Sequence, residues 1–367
     1  MSKLIILLMK NRINTPAVLI TLPHHTFHGG VGNIYKTIKW NKEDKITYFY
    51  NTKEKKSGDI VFFLYMLFRF IVSIQKIGIV HLNPSLNPKA IFRDGILLLL
   101  AKVFRKKVII FFHGWDDVFQ NVIIKNRLYK WVFSIIFNKA DCFLLLGEIF
   151  LNKLNLLGIN PEKVFYLPTI ADDNLLTNEI FHDRLLNNND IHLLFIAGFV
   201  PSKGVDIVLK TIELLNKSED FGFKLTMVGD GPELEKCKRF VLEKDLKNVI
   251  FTGYIEGIQK HNCLANADIL FLPSLSEGLP CVIMEGMLYG LAIVTRPIGG
   301  IPYWVKHNLN GWLTESIDPK TFSNGILLLI RDHKLMYNIR RNNQRTAIEN
   351  FTPTKVKNKL KNIYNEL

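Results

Sequence analysis

The sequence is poor in cysteine, short of acidic residues, and without an apolar run long enough to cross a bilayer. Its four cysteines, Cys142, Cys237, Cys263 and Cys281, have no C-x-x-C spacing and no histidine set beside them. That argues against a zinc site and reads as reduced, mostly buried thiols of a cytosolic chain. The most apolar stretch, IVFFLYMLFRFIVSI (60–74), is 15 residues long and contains Arg69, below the roughly 20 a spanning helix needs. It reads as a helix packed on a sheet, with a membrane-surface helix as the alternative. LIILLM (4–9) is too short for a signal-peptide core, and no small-residue cleavage site follows it. The location expected is cytoplasmic, free or peripheral on the inner face of the membrane. LTMVGDGPELEK (225–236) holds Gly229 and Gly231 but no third glycine at dinucleotide-fingerprint spacing, and no low-complexity repeat occurs.

What is present describes a folded protein, 48% apolar and 22% charged, whose 367 residues call for two domains. The net charge of +14 is uneven: residues 1–190 hold 25 Lys and Arg against 15 Asp and Glu, residues 191–367 hold 22 against 18. A basic first half suits an anionic membrane, a phosphorylated substrate or nucleic acid, unless it is a habit of composition. No nucleic-acid module or aromatic–basic strand pattern appears, so nucleic acid is not expected as a partner.

Short apolar runs alternate with helical patterns. Strands are expected at 17–22, 46–50, 78–82, 107–113, 141–146 and 164–168, then at 192–198, 223–229, 249–253, 268–273 and 291–296. Such runs, 15–25 residues apart, argue for parallel sheets covered on both faces. The fold class is therefore α/β, with two doubly wound, Rossmann-like domains facing across a cleft. Residues 1–170 form the first, the polar stretch 171–190 a linker, and 191–349 the second; a helix at about 350–367 packs back on the first. Ligands in such sheets meet the loops after the strands, where His113, Gly198, Gly229 and Glu277 stand.

The stretch SEGLPCVIMEGM (276–287) separates Glu277 from Glu285 by seven residues. Pro280 suits the first turn of a helix over roughly 280–288, and Gly278 permits close backbone approach. The free N–H groups of that helix start attract phosphate. Two carboxylates flanking it can accept hydroxyls, one from a sugar and one from a nucleoside; otherwise Glu277 is a cap and Glu285 a surface residue. In IAGFVPSKGVDIVLK (196–210), Gly198 ends a strand and Lys203 stands where it can reach a phosphate as a point charge. The cluster HTFHGGVGN (25–33), with Gly29, Gly30 and Gly32, is either a phosphate- or sugar-contacting turn or a tight turn only.

Together these blocks resemble glycosyltransferase family 4, retaining enzymes of GT-B fold. The likeness rests on KG at 203–204, GDGPE at 229–233, FTG at 251–253, ADILFLPSLSEGLPCVIMEGMLYG at 267–290 and IGGIPYWVKHNLNGWL at 298–313. It is looser in the first half, at GGVG (29–32), HG (113–114) and from Ala140 on. The resemblance implies that Glu285 holds the donor's ribose and Glu277 the hydroxyls of the transferred sugar. Gly278, Leu279 and Pro280 would contact the diphosphate by backbone, and Lys203 would neutralise it. His113 would stand near the sugar, and Gly30 near donor or acceptor, with Gly198 beside the donor. The donor would be a nucleotide sugar, with no cofactor or metal expected, since no DxD motif occurs. The acceptor would be a glycan or lipid-linked saccharide of surface polysaccharide, lipopolysaccharide or glycolipid synthesis.

Three departures stand out. The family's arginine before the KG lysine is Phe199, its PNGVD-like linker reads PTIAD (168–172), and the glutamate after GGIP is Tyr303. Arg296 is a candidate replacement for the guanidinium, against a plain surface role. A non-catalytic sugar- or nucleotide-binding subunit is the alternative function that Phe199 keeps open.

Overall fold

The computed structural model describes residues 16–23, 30–52, 60–176, 190–217 and 221–367. LIILLM (4–9), the glycine cluster up to Gly29, and 177–189 of the expected linker lie outside them. The chain divides into two compact units, Met1–Leu167 with Thr354–Leu367, and Pro168–Pro353.

The first unit holds β1 (Val18–Leu22), β2 (Ile46–Tyr50), β3 (Ile79–Leu82), β4 (Ser85–Leu86), β5 (Lys107–Phe111), β6 (Gly114–Trp115), β7 (Cys142–Leu145) and β8 (Val164–Tyr166). Six of them form a parallel sheet in the order β2-β1-β3-β5-β7-β8, and β4 pairs with β6 in a small ribbon. β1, β3 and β7 are buried at every position. Their nearly continuous apolar runs, broken only by Thr21 and His81, exist because helices cover both faces of the sheet. The order reverses between β1 and β3, so the loops after these strands open the crevice of this sheet. The helix Pro353–Asn365 closes the unit: Tyr364 meets His81, and Lys357 and Lys361 pair with the buried Asp44 at 2.9 and 2.7 Å.

The second unit holds β9 (Asp190–Ile196), β10 (Gly222–Val228), β11 (Val249–Gly253), β12 (Ile269–Leu272), β13 (Ala292–Thr295) and β14 (Gly311–Leu313), all parallel in the order β11-β10-β9-β12-β13-β14. That is the Rossmann order, whose switch point lies between β9 and β12. The edge strand β14 was not expected, because three residues, Gly-Trp-Leu, carry no periodic signal. Among the described residues no helix is long and apolar enough to cross a membrane.

Candidate functional site

At the switch point of the second unit the loops after β9 and β12 are stitched together. The N–H of Leu275 donates to the Ser202 carbonyl at 2.7 Å. Gly204, at φ +72°, lies so close to Pro273 that a Cβ would stand 2.5 Å from its carbonyl oxygen. Only glycine tolerates both conditions. This apposition sets the neighbouring Lys203 and Glu277 side chains together, Nζ to Oε1, at 2.7 Å. Glu277 is 8% exposed and Lys203 27%. The pair therefore falls between a surface pair, worth about 0–1 kcal/mol, and a buried one, whose breaking costs about 3–5 kcal/mol.

Behind Glu277 runs the helix Cys281–Leu288. Pro280 is the residue before its first turn rather than inside it, and no side chain caps the start. Ile283 N–H donates back to Pro280 at 3.1 Å; among the described residues no side chain caps the first turn, and the Cys281 amide meets only its own sulfur. Such a terminus favours an anion. Leu279 is buried and Gly278 half-buried in front of it. Glu285 is buried on the helix, not exposed, and the Lys260 ammonium from the helix Gly257–Asn266 sits astride its carboxylate, 2.7 Å from Oε1 and 2.6 Å from Oε2. Only the Oε1 contact has hydrogen-bond geometry; the enclosed Oε2 accepts no hydrogen bond from a described residue. The Ser274 hydroxyl, at the end of β12, is likewise fully buried without a partner among the described residues. Burial, with Glu285 beside them, pushes the Cys281 thiol up to about 11 and the Tyr289 phenol up to about 12. Both stay neutral at neutral pH, and the Tyr289 oxygen lies 2.6 Å from His261 Nδ1.

The turn Gly229–Gly231 is structural. A Cβ on Gly229 would strike the Ala197 carbonyl, and one on Gly231 would stand 2.5 Å from the Phe199 oxygen. Phe199 N–H donates to Asp230 at 2.9 Å, and its carbonyl accepts from Glu233 N–H at 3.0 Å. The Phe199 ring is wholly buried against Phe195 and Phe251. The position where the resemblance leads one to expect arginine is thus filled by a core side chain. Gly198 beside it is exposed, with room on its open side. Arg296 spends its guanidinium on the Glu315 carbonyl, at 2.9 and 3.2 Å, which is the surface role and not a replacement.

In the first unit, Gly30 opens the helix Gly30–Thr37, and His113 lies just past β5. A hydrogen-bond chain joins the two elements. His113 Nε2 is 2.9 Å from Asn83 Oδ1, which also accepts from the Tyr35 hydroxyl at 3.0 Å. Asn83 Nδ2 donates to the Thr21 carbonyl at 3.0 Å, which fixes the amide's orientation. Oδ1 is therefore the acceptor, so His113 carries its proton on Nε2. His81 Nε2, 3.3 Å from the Tyr35 oxygen, donates in turn, and its Nδ1 accepts from Tyr364 at 2.8 Å. Burial lowers both histidines to about 3, so the rings are neutral at neutral pH. His113 Nδ1 has no hydrogen-bond partner among the described residues.

The structure thus joins Lys203 to Glu277 and sets Gly278, Leu279, Pro280 and Glu285 along one helix start; in the first unit His113 joins Asn83 and Tyr35, and Gly30 opens the helix that carries Tyr35. Sequence reasoning missed Lys260, Ser274 and Asn83. Ser274 lies within the 267–290 block, but nothing local marks Lys260 as the partner of a glutamate 25 residues away. Among the described residues no group of three or more His, Cys, Asp or Glu gathers that could hold a metal ion.

Comparison with known proteins bears on the second unit first. Residues 177–346 match the family model of glycosyl transferases group 1. The uncharacterized glycosyltransferase MJ1178 of Methanocaldococcus jannaschii is 28% identical over 83% of this chain and 79% of its own length. The amylovoran biosynthesis glycosyltransferase AmsK of Erwinia amylovora is 26% identical over 62% of this chain, and the match spans only 56% of AmsK. Among solved structures, Anabaena HepE in complex with UDP-glucose superposes with a TM-score of 0.70 at 17% identity, over 95% of this chain and 99% of that one. A glycosyltransferase from Rickettsia africae gives 0.72 at 17% identity, over 96% and 98%. The chain takes the GT-B fold of these neighbours, and its residues 177–346 are similar to the glycosyl transferases of group 1.

Proposed function

We propose that this chain is a retaining glycosyltransferase of family 4 type, moving a hexosyl group from a nucleotide-diphosphate sugar to a glycan or lipid-linked acceptor. Two carboxylate–lysine pairs beside one uncapped helix start carry this reading: Lys203–Glu277 and Lys260–Glu285. The diphosphate would lie against the amides of Cys281 and Val282, with Gly278, Leu279 and Pro280 giving backbone contacts and Gly198 leaving room beside it. Lys203, swinging from Glu277 to the phosphate, would meet the negative charge that grows as the anomeric bond breaks. Glu277, so released, would accept hydroxyls of the transferred sugar. Glu285 would hold the ribose, its carboxylate accepting from the sugar hydroxyls as Lys260 gives way.

In this scheme the anomeric C–O bond breaks with both electrons going to the diphosphate. The acceptor oxygen enters on the same face, and its proton passes to the departing phosphate oxygen. No enzyme nucleophile and no metal enter these steps. His113, near the sugar, and Gly30, near donor or acceptor, keep the roles the resemblance gives them. The relative AmsK, named for amylovoran biosynthesis, supports polysaccharide synthesis as the setting; a lipopolysaccharide product and work at the cytoplasmic face are part of the proposal.

Calorimetric titration with UDP-, GDP- and ADP-sugars tests the donor site. One of them should bind, and Glu285→Gln should weaken it about 10- to 100-fold, the worth of a hydrogen bond to a charged acceptor. Unchanged affinity in the variant would remove Glu285 from the site. A second reading, a non-catalytic sugar- or nucleotide-binding subunit, draws on the buried Phe199 ring standing where the arginine is missing. Binding without turnover on any acceptor would favour it.

A further inference from the structure

The run read from sequence as a sheet-packed helix has a second face. In the helix Ile60–Ser73 only Met66 and Phe70 are buried. Ile60, Val61, Leu64, Tyr65, Phe68 and Val72 are each between 55% and 74% exposed. They fall along one stripe of a helix whose only charge is Arg69, and that guanidinium lies over the Phe49 and Tyr65 rings.

The stripe is part of a layer. The crossovers β2–β3, β3–β5 and β5–β7 all step the same way along the sheet, so right-handed connection puts their helices on one face. Ile60–Ser73 packs beside Pro88–Val103, and the latter beside Arg127–Phe137. Phe63 stacks on Phe92 at 5.9 Å across the first of these seams, and Phe92 itself is largely exposed. On the third helix Leu128 and Trp131 face solvent.

Charge tells what such a face fits. Between residues 60 and 139 the chain has 12 Lys and Arg, three Asp and no Glu. Each of the three is engaged internally: Asp94 is buried against Arg93, Asp116 caps a helix, and Asp117 pairs with Lys153. Asp141, just past this stretch, pairs with Lys102 and Lys107, and the layer is still net basic. Apolar and aromatic side chains with basic residues around them match the interface of an anionic bilayer. A second copy of the same surface would bring like charges together.

We infer that the outer face of this three-helix layer, centred on the helix Ile60–Ser73, docks on an anionic lipid bilayer. The inference rests on the first unit alone and stands or falls independently of the transferase reading. The test is flotation of the full chain with phosphatidylcholine vesicles, with and without phosphatidylglycerol. The protein should float with the anionic vesicles and far less with the neutral ones. The double variant Leu64→Glu, Phe68→Glu, both exposed positions, should partition at least about tenfold more weakly with an unchanged circular dichroism spectrum. Leu242→Glu, still more exposed on a helix of the second unit, should float as the parent does. No flotation with anionic vesicles, equal flotation with neutral ones, or undiminished flotation of the double variant would each overturn the proposal. So would a concentration-dependent dimer, lost in the double variant, without vesicle binding.

Discussion

Replacing Gly299 by alanine should dislodge the loop that carries Glu277. Gly299 has φ +57°, and a Cβ built on it would stand 2.1 Å from the Glu277 carbonyl oxygen and 2.5 Å from that of Gly278. Both are backbone atoms, so no rotamer change relieves the overlap. Reaching the 3.0 Å that real Cβ contacts respect, from 2.1 Å, needs a shift of 0.9 Å. That shift strains the 2.6 Å hydrogen bond from Gly300 N–H to the Gly278 carbonyl. Gly257 provides the control, since it has the same φ of +57° and nothing within 4 Å of its would-be Cβ. Gly257→Ala should cost only the left-handed backbone term, about 1–2 kcal/mol. Gly299→Ala adds the overlap and a lost hydrogen bond, for a total of about 2–4 kcal/mol. Urea unfolding of both variants, read at equal slope, measures the difference. Nucleotide-sugar affinity should fall in Gly299→Ala as Glu277 moves. If Gly299→Ala is no more destabilising than Gly257→Ala, the backbone apposition that positions Glu277 is wrong.

Two further outcomes follow from the first unit. Nitrogen-15 NMR should find His113 protonated on Nε2 alone at neutral pH. Asn83→Leu, which removes the acceptor shared by His113 and Tyr35, should shift that tautomer balance; a parent protein protonated on Nδ1 would contradict the network. Burial acts to raise the Asp44 carboxyl, but Lys361, Lys357 and the Asn41 amide hold it down to about 2 from 3.8. The unfolded chain therefore takes up the proton first, and the stabilisation present above about pH 4 is lost as pH falls toward 2. Discounted for solvent screening it is about 1–2 kcal/mol. Asp44→Asn should lower the urea midpoint at pH 6 by more than at pH 3, and an equal loss at both would refute the assignment.

The two sheets were legible in the sequence because parallel strands covered on both faces are apolar along nearly their whole length, as VLITL and ILFL are. The helix start between Glu277 and Glu285 was legible as well, since the Pro and Gly before it have local meaning. The sequence could also register that Phe199 stands where the resemblance leads one to expect arginine. It could not say that the ring is spent in the core between Phe195 and Phe251, because that depends on which strands become neighbours. Lys260 escaped notice for the same reason: it reaches Glu285 only once β11 and its helix are laid beside the sheet. The helix Ile60–Ser73 shows the limit most plainly. A run apolar on every side has no period to tell its buried face from its open one, so packing on the sheet decided that Met66 and Phe70 go inside and Leu64 and Phe68 face out.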